Sequence, residues 1–483
     1  MWILLLLLGL ARSRELSEES SLAGAMQTVW LIGDGFVPKS TLLSHNYLFE
    51  QAGYLIYPVA LLAKIFPTAI TLLVVQSGAL AIGVVPLWRL ARNIVKLRIG
   101  STIAIVIAYG AYSAIHAVNL AGFHLEALAL PALLAAVYNG MRGTLVRYWV
   151  FVVIVLSARA DLGLAIAGLG ILWWVDGRRR LGYATFAVGF GWAAAAILII
   201  QPAYAGGDYP HVEAFAAYGG HDPFRVLWGM ITSPIDFTQE LFSEANFRTI
   251  VRLLAPVLFL PVGAPRYLLP AIPLYCLYLV ADVPEGALEE AGQNIPITAF
   301  IFVALVFGLA KTGRVVVEKV NVDRRVIGAL VFTAAVFFAA DAVTSPYEKP
   351  WSWGSRDAVD EARLEVREMI PIDGVVRAAP KVLPLLTERV GLFELDLPDA
   401  RSGEAADLAD SASEGVNWIV FDQSEVPSWV GTQGIPAFCQ TLALAGWVPV
   451  ARDDGVFTYT FADQAEQLGL DIAYRDEEQT AIC

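Results

Sequence analysis

The feature that most constrains this chain is a series of apolar windows, at about 68 to 88, 101 to 118, 127 to 139, 148 to 175, 181 to 201, 249 to 262, 265 to 281, 295 to 310 and 326 to 343. Several are long enough to cross about 30 Å of hydrocarbon as helix, a conformation that satisfies every backbone amide within the segment. With 57% hydrophobic and 16% charged residues and a mean hydropathy of +0.59, the chain falls outside the soluble globular range and reads as an integral membrane protein. After residue 343 the windows stop. Residues 344–483 hold 10 Lys and Arg against 25 Asp and Glu, so the formal charge of −13 belongs to the tail. That acidity argues against a nucleic-acid partner. The expected organisation is a multi-span membrane domain over 1–343, with an outer loop at 12–67, followed by a soluble domain over 344–483.

Two stretches near the start do not fit a simple span. MWILLLLLGLARSREL is apolar over too short a run and reads as the end of a first transmembrane helix, with a signal peptide as the alternative. YLIYPVALLAKIF, residues 54–66, is also too short and reads as an interfacial or re-entrant piece. Between them, LSEESSLAGAMQTVWLI reads as an amphipathic helix on the membrane surface. The three cysteines, Cys276, Cys439 and Cys483, form neither a disulfide framework nor a metal cluster, and leave only a Cys439–Cys483 pairing open.

Lys and Arg gather in short loops: Arg89 to Arg98, Arg142 and Arg147, Arg178 to Arg180, Arg266, and Lys311 to Arg325. By the positive-inside rule these loops are cytoplasmic. Residues 119–126, the apex near 158–161, the loops 202–248 and 282–293, and the acidic tail then fall on the outer face. The 148–175 window must be a shallow hairpin turning near Arg159. The unusual polar residues His45, Glu50, His124, Glu126, Arg159, Asp161, Asp208, His211, His221, Asp222 and Arg225 collect on that same face. Charge near membrane depth costs a few kcal/mol unless it meets a partner or a wet cavity, so the gathering points to a cleft that opens outward.

Each motif has two readings. In GFHLEALALP (122–131), Glu126 is either a dipole partner for the helix it opens, with His124 at headgroup level, or half of an acid/base or phosphate-contacting pair. In SARADLGLA (157–165), Arg159 and Asp161 are either an internal salt bridge at the hairpin apex or an anion site, with Arg159 on a lipid phosphate and Asp161 orienting it or a metal ion. The Gly- and Tyr-rich loop at 201–224 adds Asp208 and His211 as binding candidates. No GxGxxG, P-loop, GxSxG or HExxH pattern is present.

MQTVWLIGDG, FEQAGYLIYPVALLAKIFP, NLAGFHLEALALPALLAAVY and SARADLGLAIAGLGILWW together resemble the membrane-protein family called domain of unknown function 2079, over most of residues 20–310. FHLEAL answers to the family's Phe-His-Pro-Glu-Ala run, with Leu125 in place of proline. RADLG answers to an acidic pair of which only Asp161 is present, and Glu50 falls where many relatives have histidine. The family's Asp ahead of the glutamine matching Gln27 is absent; Glu18 and Glu19 stand just upstream. The family looks like a distant branch of the GT-C glycosyltransferases. The resemblance therefore implies a polytopic α-helical membrane protein of about 10 to 12 membrane-embedded helices with a C-terminal extracytoplasmic α/β domain. It implies transfer of a sugar, with inversion, from a polyprenyl-phosphate donor in the membrane lipid to an outer acceptor. On that reading Glu18, Glu19, Glu126 and Asp161 are the catalytic candidates, and Glu50, His124, Arg159 and His211 bind substrate. A divalent cation is left open as cofactor, and the acceptor and any protein partner are unspecified.

In the tail, RDAVDEARLEVREMIP reads as a helix stopped by proline, and WIVFDQ and VFTYTF read as strands, which gives a small α/β domain. Asp422, at a strand end, is read as a cap, with a functional role as the alternative. Two other functions compete. A transporter or flippase would show internal repeats and polar residues near the midplane; a scaffold would tolerate loss of His124, Glu126 and Arg159.

Overall fold

The computed structural model describes residues 1–16, 20–205, 211, 213–219, 223–281, 294–316, 318–345, 354–395, 415–425, 439–440, 442–470 and 472. The chain divides into two compact units, one of Met1–Gly9, His45–Leu62 and Ala69–Trp351, the other of Leu10–Ser44, Ala63–Thr68 and Ser352–Cys483.

The first unit is helical and carries the apolar windows. Among the described residues four helices are long and apolar enough to cross a membrane: Thr68–Ile94, Ile99–Leu120, Arg179–Tyr204 and Asn294–Lys311. Asn294–Lys311 is apolar on all sides, so it has no solvent face to offer. It is accordingly the centre of the unit, buried from Asn294 to Leu309 except at Phe307. Arg179–Ala195 lies at the other extreme and exposes Tyr183, Phe186 and Phe190. The hairpin expected near Arg159 is present as Leu145–Leu156 and Leu162–Val175. Its second arm packs backbone to backbone on Arg179–Ala195. A Cβ on Gly163 would come within 2.6 Å of the Gly189 carbonyl, which is the close approach that small residues permit between membrane helices.

The windows at 249–262 and 265–281 do not form spans. Glu244–Leu254 ends in a run of short 3₁₀ turns, Ala255–Val257, Leu260–Gly263, Pro265–Tyr267 and Leu269–Ala271, before helix resumes at Ile272–Val280. Pro256, Pro261, Pro265 and Pro270 recur at nearly helical-turn spacing. Each removes a backbone donor and crowds the preceding turn, so a continuous helix cannot form however apolar the residues are. Non-helical backbone at such a position is tolerated when it is enclosed by protein, and Pro256, Val257, Pro261, Tyr267 and Pro270 are buried.

The second unit contains the tail's α/β domain. Its sheet runs in the order Leu392–Glu394, Val376–Ala378, Trp418–Asp422, Val456–Phe461, Trp447–Asp453, with the first three strands parallel and the last two joined antiparallel. Every residue of the central WIVFD strand is buried. The helix expected before proline is Ala358–Met369, opened by a reciprocal Asp357–Asp360 capping box. The segment Ser20–Gly33 is not a surface helix. Leu22 to Val29 are buried, and Ala23 joins a core with Ala362, Val366, Trp418 and Val420. Its Gln27 amide donates to the Arg389 carbonyl at 3.1 Å and accepts from Ser40 Oγ at 2.6 Å, both interactions buried.

Asp422 belongs to a closed ion network rather than to a simple strand cap. Arg363 Nε donates to its Oδ2 at 2.7 Å, and the Ser424 amide donates to its Oδ1 at 2.8 Å. Arg363 also donates to Asp360 Oδ1 at 2.6 Å and to Ser424 Oγ at 2.8 Å, while Asp360 Oδ2 accepts from the Asp357 amide at 3.2 Å. Nearby, burial pushes the Glu425 carboxyl above its ordinary range, against the backbone donor of Lys381.

Candidate functional site

The two motifs singled out in the sequence meet inside the first unit. Glu126 opens the helix Glu126–Arg142, where the helix dipole favours a carboxylate, and its side chain is 3% exposed. The turn before it is fixed by Gln76 from the span Thr68–Ile94. The buried Gln76 amide donates to the carbonyls of Val118 at 2.8 Å and Gly122 at 2.7 Å, and accepts from the His124 amide at 2.7 Å. The hairpin apex is fixed from a different side. The Leu55 amide donates to the Ser157 carbonyl and the Ala160 amide to the Gln51 carbonyl, both at 2.9 Å. Gly53 allows this approach, because a Cβ there would lie 2.6 Å from Leu125 and 2.9 Å from the Ala158 carbonyl.

Arg159 stands at the centre of what these clamps bring together. It grips Asp161 with two nitrogens, Nε to Oδ1 at 2.6 Å and Nη2 to Oδ2 at 2.9 Å. Its Nη1 donates to Glu126 Oε1, and its Nη2 also donates to the Tyr278 hydroxyl, which in turn donates to Asp161 Oδ2. Tyr278 comes from Ile272–Val280, the helix that follows the proline-broken segment. One arginine and two carboxylates leave a formal charge of −1 in a buried place, which is bearable only because the guanidinium bridges both acids. Two polar atoms of the cluster are left over. Glu126 Oε2 and His124 Nε2 are buried and have no hydrogen-bond partner among the described residues, and His124 Nδ1 lies 4.0 Å from Glu126 Oε2. A buried carboxylate oxygen keeps its acceptor capacity, so Glu126 Oε2 is the atom of the cluster that can take a hydrogen bond from an added donor.

Four of the residues expected from sequence are thus joined: His124, Glu126, Arg159 and Asp161. Glu50 lies in the short helix Tyr47–Gln51, next to the residue that holds the apex. His211 is an exposed turn residue. Glu18, Glu19, Asp208, His221, Asp222 and Cys483 lie outside the described residues, and with them the Cys439–Cys483 pairing. His116 is a structural histidine: it is buried, with Nε2 2.8 Å from the Gly110 carbonyl and Nδ1 3.0 Å from Thr344 Oγ1. Tyr278 and Gln76 escape a sequence reading, since each is a single polar group in an apolar run; the only local signal is that such a group needs a partner when buried.

The described residues do not make a cation site. Among the described residues no three His, Cys, Asp or Glu side chains are grouped to hold a metal ion. Arg159 occupies both oxygens of Asp161 and one of Glu126.

Comparison with known proteins places this geometry in a wider fold. No curated protein sequence matches the chain. Among solved structures, ArnT from Cupriavidus metallidurans in the apo state is similar with a TM-score of 0.52 at 11% identity, over 91% of this chain and 93% of that one. The same protein bound to undecaprenyl phosphate gives a TM-score of 0.50 at 11% identity, over 95% and 97%. Arabinofuranosyltransferase AftD from Mycobacteria is similar at 0.45 and 13% identity, over 91% of this chain and 39% of that one. The architecture is therefore helical with an ArnT-like fold and a C-terminal sheet domain. Residues 22–458 match the model of a family described as predicted membrane protein (DUF2079), and the chain belongs to that family.

Proposed function

We propose that this chain is an integral membrane glycosyltransferase of GT-C type, which moves a sugar from a polyprenyl-phosphate donor to an acceptor on the non-cytoplasmic face. One observation carries the reading: the buried Glu126 carboxylate accepts from Arg159 at Oε1 yet keeps Oε2 without a hydrogen bond among the described residues. The ArnT-like fold supports it, and the undecaprenyl phosphate bound to that neighbour supports a polyprenyl lipid as partner. In the reaction, the acceptor hydroxyl oxygen bonds to the anomeric carbon as the bond from that carbon to the lipid phosphate breaks. Glu126 Oε2 accepts the hydroxyl proton, and the phosphate leaves with the electron pair. Asp161 and Tyr278 position Arg159, and Arg159 positions Glu126. His124, beside the free oxygen, orients the acceptor.

The test is sugar transfer in membranes supplied with radiolabelled polyprenyl-phosphate sugars. Wild-type protein should transfer label. Replacing Glu126→Gln, Asp161→Asn and Glu19→Gln together should lower transfer at least about 100-fold. Transfer that survives the triple change would reject the proposed roles, and lipid movement without transfer would favour a transporter.

A further inference from the structure

The short helices after residue 223 present a stripe of large apolar side chains that the charged site does not use. Leu227, Trp228 and Ile231 on Pro223–Thr232, then Ile235, Phe242 and Phe247, are 58% to 73% exposed. With Phe224 the first three fall at positions i, i+3, i+4 and i+7, which places them on one helical face. The opposite face is already occupied, since Val226 and Met230 pack with Tyr218, Phe237 and Val280. The stripe is therefore a second apolar face rather than a displaced core. The helices Pro223–Thr232, Pro234–Leu241 and Glu244–Leu254 have 10, 8 and 11 residues. At about 1.5 Å per residue none can cross the hydrocarbon.

We propose that residues 223–247 lie along the membrane, at the boundary of headgroups and acyl chains, with this stripe immersed in lipid. Short amphipathic helices with an aromatic and aliphatic face behave in this way. Lipid fits better than a protein partner because the helix Arg179–Tyr204, long and apolar enough to cross a membrane, likewise exposes large apolar side chains at Leu198 and Ile199. Arg225 lies off the stripe and supplies a charge suited to a lipid phosphate, while Arg248 pairs with Glu244 at 3.2 Å. The expected aqueous loop at 202–248 thus becomes, over its second half, a membrane-lying layer. That layer packs through Met230 and Phe237 on Leu277 and Val280, the helix that carries Tyr278. An amphiphile moving within the leaflet would meet it one layer from the charged site, whatever reaction takes place there.

The experiment uses full-length protein in lipid nanodiscs, and compares the tryptophan emission of wild type with that of Trp228→Phe, so that the difference isolates Trp228. Trp173→Phe, at a fully buried position, is the control. Lipids brominated on the acyl chains should quench the Trp228 difference at least about twofold, and aqueous iodide should leave it nearly unchanged. Quenching by iodide and not by bromine would return the segment to water. Quenching by neither would mean that protein covers the stripe. Either result overturns the proposal.

Discussion

Each unit holds one arginine between two carboxylates, and the two clusters differ in how completely their oxygens are hydrogen-bonded. In the second unit Arg363 joins Asp360 and Asp422, and all four carboxylate oxygens accept a hydrogen bond. In the first unit Arg159 joins Glu126 and Asp161, and three of the four do, leaving Glu126 Oε2 alone. A closed network fixes geometry and has nothing left to offer a ligand. An open one retains an acceptor that a donor from outside the cluster can use. Charge content alone does not separate the two cases; hydrogen-bond completeness does.

The comparison can be tested by breaking each cluster. The largest effect should come from Arg159→Leu or Arg363→Leu, each of which strands buried carboxylates and should cost about 3–5 kcal/mol of stability, read as loss of folded protein in thermal size-exclusion analysis. Tolerance of either change would mean that the cluster is wetter than its burial indicates. Next come the acids. Asp422→Asn loses charge-assisted bonds on a fully used group and should cost about 1.5–3 kcal/mol, whereas Glu126→Gln, which keeps an oxygen for Arg159, should cost about 1 kcal/mol or less. Equal costs would erase the distinction. Gln76→Leu should lower stability by about 1–3 kcal/mol, since it unpairs the carbonyls of Val118 and Gly122 and the His124 amide.

The smallest effect is a pH dependence in the second unit. Burial raises the folded Glu425 pKa above its unfolded value, so the folded state binds the proton more tightly. Stability should therefore fall as pH rises from the ordinary carboxylate value through the raised one. Glu425→Gln should flatten that part of the profile in pH-dependent proteolysis of the full chain, and an unchanged slope would remove Glu425 as its source.

Much of this contrast begins in legible sequence. FHLEAL and SARAD already name four members of the open cluster, because ionisable residues beside apolar runs are expensive and so informative. Likewise WIVFD and the capped helix before Pro371 announce the α/β domain. What stayed hidden depends on contacts between distant positions. Tyr278 reads as one more aromatic in LYCLYLV, and Gln76 as a tolerated polar residue in a span. Hydropathy counts apolar residues without regard to backbone, so it assigned spans to 249–281 although prolines interrupt them. The Ser20–Gly33 helix resembled a surface helix because its core partners, such as Trp418, come from the far end of the chain.

The most direct measurement sets the two clusters side by side: transfer of label from polyprenyl-phosphate sugar, per folded molecule, by Glu126→Gln and by Asp422→Asn. The account predicts that Glu126→Gln loses transfer by at least about 100-fold while Asp422→Asn transfers like wild type once normalised to folded protein. Equal transfer by the two variants would contradict it, since the open oxygen of Glu126 would then do no more than the closed pair around Arg363.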